Sequence, residues 1–182
     1  MTKKTDLRII KTKRNIKKTF LDLLTTKPLD KITVTELAAA AEINKGTFYL
    51  HYTDIYNLYS EVLYDFVEQL ADQIDFYNLF FTNPEAFVMN FLNGPKSTEE
   101  FQKFYIFTPE YSTYNHMLPL LLTEATKKRI YATGQILPSV ENDIKLDAIL
   151  AGLSFIVRKE YPPARYGIIS EIIGKNIRSS FS

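Results

Sequence analysis

Residues 32–52 carry two helix starts so close together that only a short helix, a tight turn and a second short helix can connect them. Thr33 followed at three residues by Glu36 is a capping-box pattern, in which the threonine oxygen accepts an otherwise orphaned N–H of the first turn. The next residues, Leu37-Ala38-Ala39-Ala40-Ala41, favour helix and are small enough to let another helix approach closely. Asn44 is a good N-cap for a second helix running through Lys45, Gly46, Thr47, Phe48, Tyr49, Leu50, His51 and Tyr52. There Phe48 and Tyr52 stand four apart and can face inward together, leaving Lys45, Thr47, Tyr49 and His51 near or outside the packed stripe. A longer helix comes first: over residues 7–26, Ile9, Ile16, Phe20, Leu23 and Leu24 follow helical spacing, and Lys27-Pro28 ends it. One longer helix and two short ones across a tight turn make the helix-turn-helix layout, whose second helix enters the DNA major groove.

The net charge of +1 conceals an asymmetry that bears on this reading. Residues 1–56 hold eleven Lys/Arg against six acids, a charge of +5; the remainder holds eleven against fifteen, a charge of −4. A basic module facing a polyanion and a nearly neutral body would divide charge this way. A Lys-rich helix that is merely a solvated face would do so equally. Cysteine is absent, which excludes a disulfide scaffold, thiolate zinc sites and a thiol nucleophile. With His51 and His116 the only histidines, and no glycine-rich phosphate loop, neither a metal centre nor a nucleotide cofactor is expected. The basic start has no apolar segment after it and no run approaches a membrane span, so a cytoplasmic location is expected.

The rest of the chain also reads as helix. Ile55, Leu58, Tyr59, Val62, Leu63, Phe66, Leu70 and Ile74 keep 3/4 spacing from a start near Thr53-Asp54, long enough to connect one helical bundle to another. Asn83-Pro84 and Thr108-Pro109 pair a cap residue with a first-turn proline, and Met117-Leu118-Pro119 is a third candidate start; Asn93-Gly94-Pro95 is a break. Further helices are expected over residues 101–107, 118–137, 144–160 and 164–177. Strand signals are nearly absent, so the fold class is all-α.

Residues 32–52 resemble the DNA-binding domain of TetR-family transcriptional regulators, most specifically in the run Lys45-Gly46-Thr47-Phe48-Tyr49 with His51 and Tyr52. With the basic helix before it and residues 54–63 after it, the resemblance covers about a third of the chain. It implies an N-terminal three-helix DNA-binding domain over residues 1–58. It also implies a larger helical bundle over residues 59–182 that binds an effector and forms a homodimer through its last two long helices. Carried over position by position, it implies that Thr33 and Thr35 hold the second helix on a phosphate. Lys45, Gly46 and Thr47 would open the recognition helix, and Tyr49 and His51 would contact phosphates. Three departures stand out. Glu42 occupies a turn position usually held by Gly, where a positive φ costs a side chain roughly 1–2 kcal/mol. Leu50 stands where polar or aromatic residues are common, so it touches a thymine methyl or packs internally. Ile55 replaces a phosphate-holding Lys, which shifts the expected phosphate contacts onto the first-helix lysines.

For the body, two apolar stripes are candidates for the dimer interface: Leu146, Ile149, Leu150, Leu153, Ile156 and Val157, then Ile168, Ile169, Ile172, Ile173 and Ile177. The same stripes could instead cover the core of a single subunit. Twelve Tyr and thirteen Phe include a dense group between residues 76 and 114. That group divides between plain core and a pocket for an apolar or aromatic effector lined by Phe80, Phe104, Tyr105, Tyr111 and His116. The expected function is a ligand-responsive repressor on a pseudo-palindromic double-stranded DNA operator, binding as a dimer. The alternative is a DNA-tethered adaptor or activator whose C-terminal domain binds a protein. Catalysis is not expected, because His116 has no recognisable Ser or Asp companion and the acidic pairs sit at helix starts.

Overall fold

The computed structural model describes residues 7–93 and 117–181. Among the described residues the chain is all-α, with nine α-helices, two short 3-10 turns and no strand. These residues form two compact units, 7–65 and a second comprising 66–93 and 117–181.

The first unit begins with α1 (Leu7–Leu24), whose buried stripe is Ile16, Phe20 and Leu24. Ile9 lies on the same stripe but is exposed, so the packed length of α1 starts at Ile16. Pro28 stops the helix and enters a 3-10 turn, Leu29–Lys31, that buries Leu29. Helix α2 (Val34–Ala40) starts on the Thr33 hydroxyl oxygen, which accepts the Glu36 N–H at 3.2 Å. The reciprocal half of the box is missing, because the Glu36 carboxylate instead accepts Lys27 Nζ at 2.5 Å. Helix α3 (Lys45–Tyr49) starts on Asn44, whose Oδ1 accepts the Thr47 N–H at 2.7 Å. Asp54 Oδ1 caps α4 (Ile55–Asp72) by accepting the Asn57 N–H at 2.7 Å. The early part of α4 closes the small core with Ile55, Leu58, Tyr59, Val62 and Leu63. Helix α4 is continuous, and its residues from Phe66 onward belong to the second unit.

The second unit adds α5 (Leu79–Thr82), α6 (Pro84–Asn93), α7 (Met117–Ala132), α8 (Val140–Arg158) and α9 (Tyr166–Phe181). Helix α9 packs along α6, and α7 packs along α8. The Glu85 carboxylate lies against Gly174, where a Cβ would come within 2.6 Å of Oε1, and one turn on Arg178 forks onto the same carboxylate. Arg129 of α7 holds the end of α4, donating to the Glu68 carboxylate and backbone oxygen at 3.1 Å each and to Asp72 at 2.5 Å. The core is aromatic. Phe80 meets Phe87 edge-on at 5.1 Å and Phe81 at 4.8 Å, and Phe81 meets Phe181 at 5.3 Å. Edge-to-face contact suits the ring quadrupole better than flat stacking.

Several element boundaries differ from the sequence expectation. Helix α7 ends at Ala132 rather than 137, because Gly134 turns the chain at φ 74. Helix α8 starts four residues earlier than expected, on Ser139, whose Oγ accepts the Asn142 N–H at 3.1 Å. A 3-10 turn, Pro163–Arg165, delays α9 to Tyr166, and that helix continues to Phe181. The expected helix over 101–107 and the Thr108-Pro109 start lie outside the described residues.

Candidate nucleic-acid interface

The connection between α2 and α3 is a Schellman turn. Ile43 N–H donates to Ala38 O at 2.9 Å and Glu42 N–H to Ala39 O at 3.2 Å, with Glu42 at φ 55. From α1, Asn15 Nδ2 donates to Ala41 O at 2.8 Å and so ties the turn to the first helix. Phe48 and Tyr52 are buried, their ring centroids 5.7 Å apart, and they fix how α3 sits on the core.

That anchoring decides what α3 shows on its outer side. Lys45 and Gly46 are exposed in its first turn. A Cβ at Gly46 would lie 3.2 Å from Asn44 Oδ1, tighter than an ordinary contact, so the glycine leaves the cap undisturbed. Thr47 is half-buried and its hydroxyl donates to Asn44 Oδ1 at 3.0 Å. Tyr49 is 57% exposed and Leu50 81% exposed, while His51 is half-buried beside Tyr52, ring to ring at 6.4 Å. Of the alternatives for Leu50, internal packing is excluded by this exposure. Thr33 and Thr35 are exposed at the start of α2, which packs against α3. Ile55 is buried, so nothing at the start of α4 replaces the lysine that the resemblance would place there.

One arrangement was not anticipated. Glu61 of α4 accepts Lys13 Nζ at 2.7 Å and Lys17 Nζ at 2.6 Å, and Lys17 also reaches Asp65 at 2.5 Å. Tyr52 Oη donates to Glu61 Oε1 at 3.3 Å, and Lys13 lies over the Tyr52 ring at 5.2 Å. Burial would push the Glu61 carboxyl up, but the two lysines outweigh it and hold the group below its ordinary value. Burial raises the Tyr52 phenol, and the Glu61 charge raises it further, so it stays protonated as a donor. Lys13 and Lys17 sit four apart on one helix, as do Glu61 and Asp65 on another; that matched spacing was the available signal. The expectation that the first-helix lysines carry the phosphate contacts therefore narrows. Lys11, Arg14 and Lys18 are exposed and carry no ion pair among the described residues, whereas Lys13 and Lys17 are committed to α4.

Of the expected effector-pocket residues, Phe80 is fully buried among Phe81, Phe87 and Phe181; Phe104, Tyr105, Tyr111 and His116 lie outside the described residues. Among the described residues there is no cluster of His, Asp and Glu able to hold a metal ion, and no helix long and apolar enough to cross a membrane.

Among the described residues the chain is all-α, and its first unit sets two short capped helices across a tight turn. The solved structure of the dihydroxyacetone kinase operon activator DhaS has a similar fold, with a TM-score of 0.53 and 17% sequence identity over 94% of both chains. No protein-family model and no curated protein matches the sequence.

Proposed function

We propose that this chain is a TetR-type transcription regulator that binds a pseudo-palindromic operator as a homodimer, acts in the cytoplasm and performs no catalysis. The observation that carries the reading is α3. It is a capped helix anchored by Phe48 and Tyr52 whose opposite side is exposed, within the first 56 residues, which carry +5. In this reading residues 1–58 contact DNA through Thr33, Thr35, Lys45, Gly46, Thr47, Tyr49, Leu50 and His51. Residues 59–182 dimerise and take an apolar or aromatic effector that releases repression. Two recognition helices would enter successive major grooves about 34–36 Å apart. The test is footprinting on DNA flanking the gene, with excess non-specific duplex as competitor. A symmetric protected site with two half-sites one helical turn apart is expected; absence of any protection above the competitor background would sink the reading.

A second reading changes the sign of regulation. The similar structure is that of an operon activator, which favours activation over repression. A reporter placed behind the protected site separates the two: a repressor lowers its output and an activator raises it.

A further inference from the structure

We infer that Leu50 is a specificity-determining residue that reads the 5-methyl group of thymine in the major groove; this rests on the DNA-binding reading above. Leu50 is the C-cap of α3 with right-handed helical backbone (φ −71, ψ −19), and its N–H donates to Gly46 O at 3.1 Å, so helical geometry still places its side chain. Successive side chains turn by about 100° around a helix. Phe48 and Tyr52 mark the buried side, which puts Leu50 opposite them, at the centre of the outward face. With 81% of its surface exposed, it is the most exposed large apolar side chain among the described residues.

Its neighbours on that face strengthen the inference. Helical side chains lean toward the N-terminus over the residue one turn back. For Leu50 that residue is Gly46, which has no side chain to block the approach of a base edge. Thr47, three residues back, has its hydroxyl hydrogen committed to Asn44 Oδ1. The middle of the face therefore offers no free donor, while Lys45 and Tyr49, four residues apart, lie together on one side of it and His51 lies on the other. In the major groove the apolar feature that separates base pairs is the C5-methyl of thymine. A leucine at the centre of the face selects A·T pairs at that step through this methyl, and the flanking polar groups hold the backbone. The basic charge of residues 1–56 fits a nucleic acid better than an apolar protein partner.

The experiment starts by selecting bound duplexes from a randomised library with the full chain. Each thymine of the selected half-site is then replaced by deoxyuridine, which lacks only the methyl. For the wild type, substitution at one thymine, or two adjacent ones, in each half-site should weaken binding about fourfold, the value of one buried methyl. Leu50→Ala should bind the thymine operator about as weakly as the wild type binds the uracil one, and lose nothing more on methyl removal. Leu50→Met, which restores apolar reach, should regain the sensitivity. An unchanged melting temperature checks that Leu50→Ala folds. A selected operator on which the wild type ignores every methyl, or on which Leu50→Ala keeps the wild-type sensitivity, overturns the role of Leu50 while leaving the DNA-binding reading intact. A selection that enriches no duplex overturns both.

Discussion

Glu42 holds left-handed backbone at φ 55 at the C′ position of α2, where the Schellman turn requires it and where glycine carries no Cβ penalty. The turn forms anyway because its groups are satisfied around that residue: Ile43 and Glu42 donate back into α2, and Asn15 supplies a donor to Ala41 O. Removing the side chain should relieve roughly 1–2 kcal/mol of local strain, partly offset by the greater freedom of glycine in the unfolded chain. Glu42→Gly is therefore expected to stabilise by about 1 kcal/mol, raising the melting temperature by about 2–4 °C for a chain of this length. A lower melting temperature would count against the strain argument. At this scale the local signals were readable in the sequence. Thr33 and Asn44 cap where their spacing to Glu36 and Thr47 requires, because a cap is a contact over three residues. For Glu61 the sequence held only the matched four-residue spacing of Lys13/Lys17 and Glu61/Asp65, which does not by itself pair them, because that contact depends on how α1 and α4 pack.

At the scale of elements, the helices with long regular stripes were legible, since a 3/4 repeat such as Leu58-Val62 in α4 or Leu146-Leu150-Leu153 in α8 suits one buried side. Short α5 and the early stop of α7 were not, since one depends on packing and the other on a single glycine followed by the misleading apolar pair Ile136-Leu137. Carboxylates clamp helix pairs in both units, and this gives a pH dependence with a definite sign. The Arg178 guanidinium beside Glu85 holds that carboxyl at about 2. Lys13 and Lys17 outweigh burial at Glu61 and lower it as well. A carboxylate whose folded value is depressed contributes stability above its unfolded value, and this is lost as pH falls through the folded one. Acid should therefore loosen the α6–α9 contact between about pH 4.5 and 2, and Glu85→Gln should flatten the unfolding curve within that window. A Glu85→Gln limb as steep as the wild type would contradict this. The lysines supply a second prediction at this scale. Lys18→Ala should reduce the slope of log affinity against log salt by about 0.9, the effect of one phosphate contact. Lys13→Ala, at a side chain already bound to Glu61, should leave that slope unchanged.

For the whole molecule, the decisive question is what covers the outer sides of α8 and α9. The apolar stripes marked by the sequence divide: Leu146, Leu150, Leu153 and Ile177 are buried within the unit, and Ile149, Ile156, Val157, Ile169 and Ile173 pack partly against the same core. Left over is a different stripe on α8, Val140, Ile144, Ala148, Ala151 and Phe155, which falls on one side of the helix at successive steps of four or three and is exposed throughout. Ile168 and Ile172 are exposed on α9. In the proposed homodimer this stripe would form the interface, since contiguous apolar surface of this kind is unusual on a lone subunit and a symmetric dimer would bury it twice. Light scattering should give twice the 21.1 kDa chain mass, and Phe155→Glu with Ile172→Glu should return it to one chain mass with helicity intact. The consequence for DNA follows from linkage. In the proposed dimer two recognition helices would make the second half-site encounter intramolecular, worth about 10²–10⁴ in apparent affinity. The monomeric double variant should therefore lose operator binding by that factor although no residue of α3 has changed. A monomeric variant that still binds the full operator as tightly as the wild type would show that each chain reads its site alone.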